Sequence, residues 1–545
     1  MEAAGIQYIF GNPGTTEMGL LKALQCSPSP RYILALHETV AAGMADGYGR
    51  AAKLPGVACV HTTVGTANAL GMTINAFADY TPLVIVAGLK DNRVLGTDAF
   101  CDAPFSAPDL LRQYTRRSRQ CLTAANLSRD TAMALHHALV PPGGPTYLAV
   151  PENFFEEKVP PEIKSVKAVE PPVADTMQLM HAADLLAKAK RPIILAGNEV
   201  GREGALPLLV ELAERVKLPV FSEERLAWSY LNFPNNHPLY CGPYNWDNEL
   251  IKQADLVMAI GSKMFMVPGF TDNPCLDPNA AVVHMHTDLT MIGFPHPANA
   301  DVGGSIHKNL KRLLELLPVV EIDYSMSADW IRLFESTLQE RASNLRKEQH
   351  LSTTSGLPTI YQMLSVLSDC AAPDAVVVNE GIRAGFFLQD YFNFSPDRAY
   401  YGYTGGCLGW GVPAAMGIKL ARPEKQVIAF VGDGSFLFSP QALWTVAHYK
   451  LGVKVIVCNN NGYMAIKSRL NHPGDGETGD GLIGEISNPQ IDFVALAQSM
   501  GVPALKVDAG EQLQGRISTC LEAPGPFLLE IKLDSRGIET SPVKL

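Results

Sequence analysis

The sequence lacks several features that would assign it to particular protein classes. Its ten cysteines form no C-x-x-C pair and no cluster with histidine at zinc spacing, so the thiols fit a reducing cytoplasm. No run of 18 or more apolar residues predicts a membrane span. The N-terminal "MEAAGIQYIFGNPG" has neither the basic segment nor the long apolar segment of a signal peptide. We therefore expect a cytoplasmic protein with no membrane partner.

The sequence also lacks any concentration of basic charge. Its net charge is −11 and its isoelectric point is about 5.7, so nucleic acid and anionic membranes are poor partners. Hydrophobic residues make up 47% and charged residues 18%, which is typical of a globular chain. At roughly 100–200 residues per domain, the 545 residues suggest about three domains.

Two proline-rich segments, 156–176 and 317–327, divide the chain into three blocks. Each block alternates β-branched runs with helical patterns, and the runs are apolar throughout, as in parallel strands covered by helices on both faces. We predict an α/β fold with three parallel-sheet domains at residues 1–158, 176–318 and 352–545. The predicted strands are RYILAL, GVACVHT and PLVIVAG in the first block, RPIILAG, LPVFSE, DLVMAIG and AVVHMHTD in the second, and DAVVVNE, KQVIAFVGDG, VKVIVCNNN and PFLLEIKL in the third.

One apolar strand, "VIAFVGDG", ends with Asp433 between two glycines. Taken alone, this pattern more often indicates a tight turn with a surface aspartate. Ser439 and Pro440 then predict the N-cap and first residue of a helix, and the next strand ends in Asn459–Gly462. A right-handed crossover makes the two strands parallel, so Asp433 and Asn460 should share the carboxyl edge where open α/β sheets bind ligands.

The side chains expected at this edge carry hard oxygen ligands. A carboxylate, an amide oxygen and free backbone carbonyls suit Mg²⁺ or Ca²⁺ and not zinc. The glycine-rich turns leave backbone N–H groups free to bind phosphates. Asn459–Asn461 in isolation predicts only a left-handed turn.

GDGS, linked through one complete crossover to the asparagine run, resembles the motif of the thiamin-diphosphate (ThDP) enzymes, and this resemblance covers almost the whole chain. It implies a pyrimidine-binding, a central and a diphosphate-binding domain. It also implies that Asp433, Asn460 and the carbonyl of Gly462 bind Mg²⁺ (or Ca²⁺). The same motif implies that the cofactor contacts Gly432, Gly434, Ser435 and Tyr463.

Glu38 lies between an apolar strand and a helix rich in small residues, in "YILALHETVAAGMADGYGRA". By itself it is an ordinary first-turn glutamate favoured by the helix dipole. The segment resembles the pyrimidine-binding domain of the family, which implies that Glu38 bonds ring atom N1′ and promotes loss of the C2 proton. An apolar site, which favours the protonated acid, would suit that role. In the family this glutamate reaches across a subunit interface, so we expect at least a homodimer, and a homotetramer as the full assembly.

The segment "YTGGCLGWGVPAAMG" (403–417) resembles the part of the family that lies beneath the thiazolium ring. The resemblance implies that Leu408 is the wedge that bends the cofactor. It also implies that the Gly406 carbonyl accepts a hydrogen bond from the 4′-amino group. Without the surrounding glycines, Leu408 would be predicted as a plain core leucine.

Within the family, "GNPGTTE", "RYILALHE", "VHTTVGTANALG", "ALWTVAHY" and "SPVK" look most like the benzoylformate decarboxylases. This implies proton transfer by His61, which alone is as readily a core histidine bonded to backbone. It also puts Thr15 in the place of the serine that binds the substrate carboxylate. A threonine hydroxyl still donates to a carboxylate, while its methyl group narrows the pocket.

Three departures from the subfamilies leave alternatives open. A second catalytic histidine is expected near "SKMFMVPGF" (262–270), where Pro268 takes its place. "LGTDAFCDAP" (95–104) looks more like the acetolactate synthases, but Cys101 stands where those have glutamine, and His61 also departs from them. The paired histidines of the pyruvate decarboxylases are absent after "TDAF".

The resemblance implies a ThDP- and Mg²⁺-dependent decarboxylase that converts a 2-oxo acid to an aldehyde and CO₂. The alternative is a carboligase of the acetolactate-synthase type, which joins the decarboxylated acid to a second carbonyl compound. A binding or regulatory protein without turnover is a third hypothesis, and Glu38 argues against it. FAD in the central domain is possible but not favoured, because that segment has no G-x-G-x-x-G motif.

Overall fold

The computed structural model describes residues 1–97, 106–159, 166–264, 276–294, 296–317, 326–349, 355–470 and 483–534. The predicted α/β fold is confirmed, since three sheets of six strands each alternate with helices along the chain. None of the described helices combines the length and the apolar character that a membrane crossing requires.

The first sheet contains every described strand before residue 152. Its order is β2-β1-β3-β4-β6-β5, and the neighbouring strands pair in parallel. All seven residues of the central strand Leu83–Leu89 are buried, as expected for a strand covered on both faces. The strands are β1 Tyr8–Gly11, β2 Arg31–Leu34, β3 Gly56–His61, β4 Leu83–Leu89, β5 Arg117–Gln120 and β6 Pro145–Pro151.

The second sheet lies in the central part of the chain. Its order is β12-β11-β10-β7-β8-β9, again with parallel neighbours. Its strands are β7 Pro192–Ala196, β8 Val220–Ser222, β9 Tyr240–Pro243, β10 Leu256–Ile260, β11 Ala281–His286 and β12 Ala300–Gly303.

The third sheet has the order β14-β13-β15-β16-β18-β17. Parallel pairing joins β13 to β15, β15 to β16, β16 to β18 and β18 to β17. Its strands are β13 Val376–Glu380, β14 Ala399–Tyr401, β15 Val427–Gly432, β16 Val453–Asn459, β17 Ala504–Val507 and β18 Phe527–Lys532.

The helices that cover these sheets follow the predicted alternation. They are α1 Met18–Gln25, α2 Glu38–Ala52, α3 Thr62–Ala78, α4 Leu127–Leu139, α5 Thr176–Lys188, α6 Asn198–Arg202, α7 Leu206–Val216, α8 Glu249–Gln253, α9 Ile306–Leu316, α10 Ala328–Gln349, α11 Ile360–Cys370, α12 Arg383–Tyr391, α13 Gly411–Ala421, α14 Asp433–Phe436, α15 Ala442–His448, α16 Met464–Leu470, α17 Phe493–Ser499 and α18 Leu513–Glu522.

The contacts divide the chain into two compact units. The first contains Met1–Val169, Ala375–Arg383 and Tyr403–Leu533, and the second contains Glu170–Asp374 and Ala384–Gly402. The first unit thus holds the whole first sheet together with strands β13 and β15–β18. The boundaries that we predict for three domains remain predictions.

Helices α2 and α13 cross at very close range inside the first unit. A Cβ atom placed on Gly47 would lie 2.2 Å from the carbonyl oxygen of Ala414, and one on Gly417 would lie 1.9 Å from that of Met44. Only glycine permits this approach of two helix backbones. The small residues after Glu38 therefore have a packing role: they join the N-terminal and C-terminal sheets of this unit.

One helix start differs from the prediction. Helix α15 begins at Ala442 and not at Ser439–Pro440, and the buried Ser439 hydroxyl donates to the carbonyl oxygen of Gly409 at 2.8 Å. Ser439 therefore stabilises a neighbouring loop instead of capping its own helix. The expected buried face is present, because Leu443 and Val446 are fully buried.

Candidate functional site

Asp433 and Asn460 follow neighbouring parallel strands, as predicted. Strand β15 pairs with β16 from Val427↔Val453 to Gly432↔Cys458, so both strands end at the same edge of the third sheet. Asp433 is the first residue of α14, and Asn460 comes directly after β16. The sheet thus brings the carboxylate and the asparagine turn together.

The Asp433 carboxylate organises the turn that follows β16. Its Oδ2 atom accepts backbone N–H bonds from Gly462 at 2.9 Å and Asn460 at 3.2 Å, while Oδ1 accepts one from Gly434 at 2.8 Å. Burial raises the pKa of Asp433 to about 6, although these three donors favour the charged form. A cation at this carboxylate would offset the remaining cost of burying it.

The oxygens beside Asp433 fit a hard metal ion. The Oδ1 atom of Asn460 is buried and has no hydrogen-bond partner among the described residues, which marks an acceptor that needs a ligand. The Gly462 carbonyl accepts one bond, from Met464 N–H at 2.9 Å, and a carbonyl oxygen can accept two. A carboxylate, an amide oxygen and a carbonyl suit Mg²⁺ or Ca²⁺. Across the described residues, no group of three or more His, Cys, Asp or Glu side chains is arranged to bind a softer metal.

The glycines of this site have separate structural reasons. A Cβ atom on Gly434 would lie 2.5 Å from the ring of Tyr463, and one on Gly462 would lie 2.3 Å from the Gly484 carbonyl oxygen. Gly462 has a φ of +154°, and the preceding Asn461 adopts the left-handed conformation with a φ of 59°. A Cβ atom on Gly432 would be 3.6 Å from its nearest neighbour, the Ser435 hydroxyl, so the backbone beside Asp433 has room for a ligand on that side.

Glu38 is the first residue of α2 and is only 6% exposed. Its carboxylate accepts an amide bond from Asn68 at 3.0 Å and a longer one from Asn12 at 3.5 Å. The site is therefore less apolar than we expected from the sequence, since two amide donors reach the acid. A Cβ atom on Gly65 would lie 3.0 Å from Oε1 of Glu38, so a side chain at position 65 would crowd the carboxylate.

His61 ends strand β3, as predicted, and its side chain is 25% exposed. Its Nδ1 atom is 3.0 Å from the Thr16 hydroxyl and 3.4 Å from Oε2 of Glu17. The Thr16 hydroxyl also bonds Oε1 of Glu17 at 2.5 Å. The neighbouring Thr15, which we expected to bind the substrate carboxylate, is exposed.

Glu17 is a site residue that we did not single out in the sequence. It is 1% exposed and accepts backbone N–H bonds from Gly14 at 3.0 Å and Gly88 at 3.1 Å. Cβ atoms at these glycines would lie 2.7 Å and 2.2 Å from its carboxylate oxygens. In "GNPGTTE" we considered only Thr15 as a ligand of the substrate. The glutamate that follows the threonines lies 3.4 Å from His61.

The segment that carries Gly406 and Leu408 is fixed from its N-terminal side by Asn75. This amide donates to the Cys407 carbonyl at 2.9 Å and accepts the Cys407 N–H at 3.0 Å. Gly406 is exposed with a φ of +83°, and Leu408 is half-buried. Both residues are therefore presented at the surface of a rigidly held loop.

Glu380, at the end of β13, fixes the same segment from its C-terminal side and was also missed in the sequence. Its carboxylate accepts the backbone N–H groups of Gly409 at 2.5 Å, Trp410 at 3.2 Å and Gly411 at 2.6 Å. These are the donors at the start of α13, which a carboxylate can cap. Burial raises the pKa of Glu380 to about 8, and the three N–H donors oppose this shift.

Comparison with known proteins identifies the family. Models of the thiamine pyrophosphate enzymes match the N-terminal TPP binding domain at residues 1–107, the central domain at 179–313 and the C-terminal TPP binding domain at 384–531. The chain is a thiamine pyrophosphate enzyme. The matched regions contain Glu38, His61, Asp433 and Asn460.

Relatives of this thiamine pyrophosphate enzyme carry out two kinds of reaction, according to their names. It is 28% identical to the benzoylformate decarboxylase of Pseudomonas aeruginosa, over 97% of this chain and 96% of the other. It is also 28% identical to the acetolactate synthase large subunit of Parasynechococcus marenigrum, over 99% and 87%. Among solved structures, the 4-hydroxybenzoylformate decarboxylase of Rhodococcus jostii matches with a TM-score of 0.85, 26% identity and coverage of 98% and 97%.

Buried carboxylates accept backbone N–H groups at the strand ends of the central sheet. Glu223 accepts those of Asn198 at 3.1 Å and Lys263 at 2.9 Å, and Glu199 accepts that of Thr287 at 2.7 Å. The prediction that FAD is not favoured in this domain stays a prediction. Pro268 and Cys101, which bear on the choice between subfamilies, lie outside the described residues.

Proposed function

We propose that this protein is a ThDP- and Mg²⁺-dependent 2-oxo acid decarboxylase of the benzoylformate-decarboxylase type. The observation that supports this most is His61 at the carboxyl end of β3, bonded to Thr16 and beside the buried Glu17. A histidine paired with a carboxylate suits the proton transfers of decarboxylation and aldehyde release. The similarity to benzoylformate decarboxylase over nearly the full length of both chains also favours it.

The metal in this proposal is bound by Asp433, Asn460 and the Gly462 carbonyl. The Oδ1 atom of Asn460, which is buried and has no hydrogen-bond partner in the part of the chain that the structure describes, is the support from this chain. When bound, ThDP supplies an electron sink for the carbanion left by loss of CO₂. Gly406 and Leu408 would hold its ring system, and Gly432, Gly434, Ser435 and Tyr463 would border its diphosphate and metal.

The remaining roles belong to side chains of the N-terminal domain. Glu38 would hold a proton at N1′ of the cofactor, and Asn68 would orient the acid through its 3.0 Å bond. His61 would give and take protons at the substrate, with Glu17 and Thr16 orienting the ring. Thr15 is exposed and free to donate its hydroxyl to the substrate carboxylate.

A carboligase of the acetolactate-synthase type is the second candidate. It is favoured by the 28% identity to an acetolactate synthase large subunit over almost all of this chain. The two activities share cofactor activation and decarboxylation, and they differ in whether a proton or a second carbonyl compound is taken up. His61 favours uptake of a proton over uptake of a second carbonyl compound, because an imidazole can act as the general acid that supplies this proton.

A panel of 2-oxo acids separates the two candidates. Purified protein with ThDP and Mg²⁺ is incubated with aromatic, branched and short aliphatic acids, and CO₂, free aldehyde and hydroxyketone are each measured. We expect one equivalent of aldehyde per CO₂ and no turnover in the Asp433→Ala variant. Hydroxyketone in place of aldehyde would establish the carboligase, and absence of CO₂ from every acid would contradict both.

We also propose a homodimer as the minimal active unit, within a cytoplasmic homotetramer. If Glu38 of one subunit serves the metal site of the other, Glu38→Gln and Asp433→Ala variants should complement each other. After subunit exchange in an equal mixture, half of the dimers would carry one intact site, which amounts to about a quarter of wild-type activity. No gain over the separate variants would place both residues in one subunit's site.

A further inference from the structure

We infer that Asn459 and Glu530 form a positioning pair that sets the affinity of the metal site through the neighbouring Asn460. This inference rests on the proposed function, because it assumes a metal at Asp433 and Asn460. Neither member of the pair is among the ligands that the motif implies. Both are buried: Asn459 is 3% exposed and Glu530 is fully buried.

Asn459 is held in one orientation by two hydrogen bonds. Its Nδ2 atom donates to Oε1 of Glu530 at 2.7 Å, and its Oδ1 atom accepts the backbone N–H of Asn461 at 3.0 Å. Glu530 lies on β18, which pairs with β16 from Lys454↔Phe527 to Asn459↔Lys532. The carboxylate therefore fixes which end of the amide faces the turn, because a carboxylate accepts bonds and cannot donate them.

The pair completes the set of bonds that fix the metal-binding turn. Asp433 holds the N–H groups of Asn460 and Gly462, and Asn459 holds the one between them, on Asn461. Asn461 has a φ of 59°, a left-handed conformation that asparagine adopts more readily than most residues, and its bond to Asn459 holds it there. With all three N–H groups bonded, the side chain of Asn460 is left with a buried oxygen that has no partner among the described residues.

Burying a carboxylate inside a sheet costs free energy unless hydrogen bonds or a cation compensate it. The Nζ atom of Lys506 lies 3.8 Å from Oε1 of Glu530, which is too far for a good hydrogen bond. The short bond to Asn459 is therefore the main polar contact of this acid. Groups that orient metal ligands in this way typically change metal affinity by about 10–100-fold when they are removed.

The test compares three variants that separate hydrogen bonding from charge. Glu530→Met removes the acceptor at similar volume, Glu530→Gln keeps an Oε1 acceptor without charge, and Lys506→Met removes the nearby cation without touching Asn459. Calorimetric titration of ThDP at stepped Mg²⁺ concentrations gives the apparent Mg²⁺ affinity of each, and the melting temperature without ligand reports folding.

We expect an Mg²⁺ affinity about 10–100-fold weaker in Glu530→Met, restored to within a few-fold of wild type in Glu530→Gln and unchanged in Lys506→Met. If Glu530→Met does not fold, Asn459→Asp replaces it: this variant keeps the acceptor for Asn461 and faces Glu530 with a second carboxylate, and the same loss is expected. Wild-type affinity in Glu530→Met or Asn459→Asp, or equal losses in Glu530→Met and Glu530→Gln, would overturn the pair. Failure of the wild-type protein to bind ThDP at any Mg²⁺ concentration would instead overturn the proposed function.

Discussion

The Nδ1 atom of His61 lies 3.4 Å from Oε2 of Glu17, and the acid is buried beneath it. Thr16 bonds both residues, so the histidine, hydroxyl and carboxylate form one connected group. The backbone N–H groups of Gly14 and Gly88 hold the acid in place. The Nδ1 atom of His61 is thus held by Thr16 and Glu17, while the side chain as a whole is partly exposed.

The first prediction concerns this pairing. Glu17→Gln should keep ThDP affinity and lower turnover by roughly tenfold to a hundredfold. The Thr16 hydroxyl that contacts His61 would lose its charge-assisted hydrogen bond to Glu17, and such a bond is typically worth about 1.5–3 kcal/mol. ThDP titration and turnover per cofactor-loaded site measure the two effects separately. Glu2→Gln, at an exposed glutamate, is the charge-matched control. Turnover equal to that of the control would show that Glu17 serves the fold and not the reaction.

Asp433→Ala should abolish binding of Mg²⁺ and ThDP together. Asp433 would hold the metal, and the metal would supply positive charge that favours binding of the cofactor diphosphate, so loss of one ligand should weaken the other. Asp433 also holds the Asn460–Gly462 turn by two backbone bonds, so the variant should disturb that turn while the strand cores stay intact. Calorimetric titration, with the exposed Asp508→Ala as a charge-matched control, gives the answer. Wild-type ThDP affinity in Asp433→Ala would exclude the metal assignment.

Glu38→Gln should bind ThDP but hardly exchange the C2 proton of the bound cofactor. Glutamine can still approach N1′ and can still pair with Asn68, but it has no acidic proton to supply. Hydrogen–deuterium exchange at C2 follows this step without knowledge of the substrate. The effect should exceed that of Asn68→Ala, which removes only the orienting bond. Exchange at the wild-type rate in Glu38→Gln would mean that another group activates the cofactor.

The sequence predicts most of the buried strands, because continuous apolar runs rich in β-branched residues are typical of strands covered on both faces. Each of the eleven apolar runs that we quoted contains a strand. The strands that it did not predict include the polar Arg117–Gln120 and Pro145–Pro151, a fully buried strand with a proline at each end. Strands of this kind are specified by their neighbours in the sheet more than by their own residues.

The site was predictable only where a motif joins the residues along the chain. Asp433 and Asn460 are linked by one crossover, and Glu38 lies in a distinctive segment. Glu17, Glu380 and Glu530 are single acids that belong to no motif. Their neighbours in the sequence do not indicate which groups each acid bonds. Their roles follow from tertiary contacts: each accepts bonds from a loop or asparagine far away in the chain, such as the 31-residue separation between Glu380 and Gly411.

Glu380 predicts a pH dependence of stability. Its pKa is raised to about 8 in the folded protein, above the ordinary 4.5, so the folded state holds a proton that the unfolded state has released between these values. This contribution is fully present below pH 4.5 and is lost as the pH rises towards 8, by a few kcal/mol in all. Glu380→Gln, which has no such proton, should therefore gain stability relative to wild type as the pH rises.

Thermal unfolding of both proteins at steps from pH 5 to pH 8.5 measures this difference. Other groups titrate in the same range, but they are common to the two proteins and cancel. Glutamine places an amide donor against the Gly411 N–H, so the variant should be the less stable protein at pH 5. A difference between the two melting temperatures that is constant across this range would show that Glu380 is ionised throughout.

The last prediction separates the decarboxylase from the carboligase. His61→Ala should keep C2 proton exchange, which depends on Glu38, and lose most aldehyde formation. General acid–base groups typically contribute about 10²–10⁴-fold, so a fall of that size in turnover is expected. A purely structural histidine would behave differently: with its ring packed against Gly14, its removal would lower the melting temperature and leave turnover per folded enzyme nearly intact.

Turnover normalised to ThDP-loaded sites, measured together with the melting temperature, distinguishes these outcomes. His136→Ala, an exposed histidine on α4 of the same domain, controls for loss of an imidazole. If His61→Ala stays within a few-fold of this control, the proposed decarboxylase has no proton relay at His61. The carboligase would then be the better account of this active site.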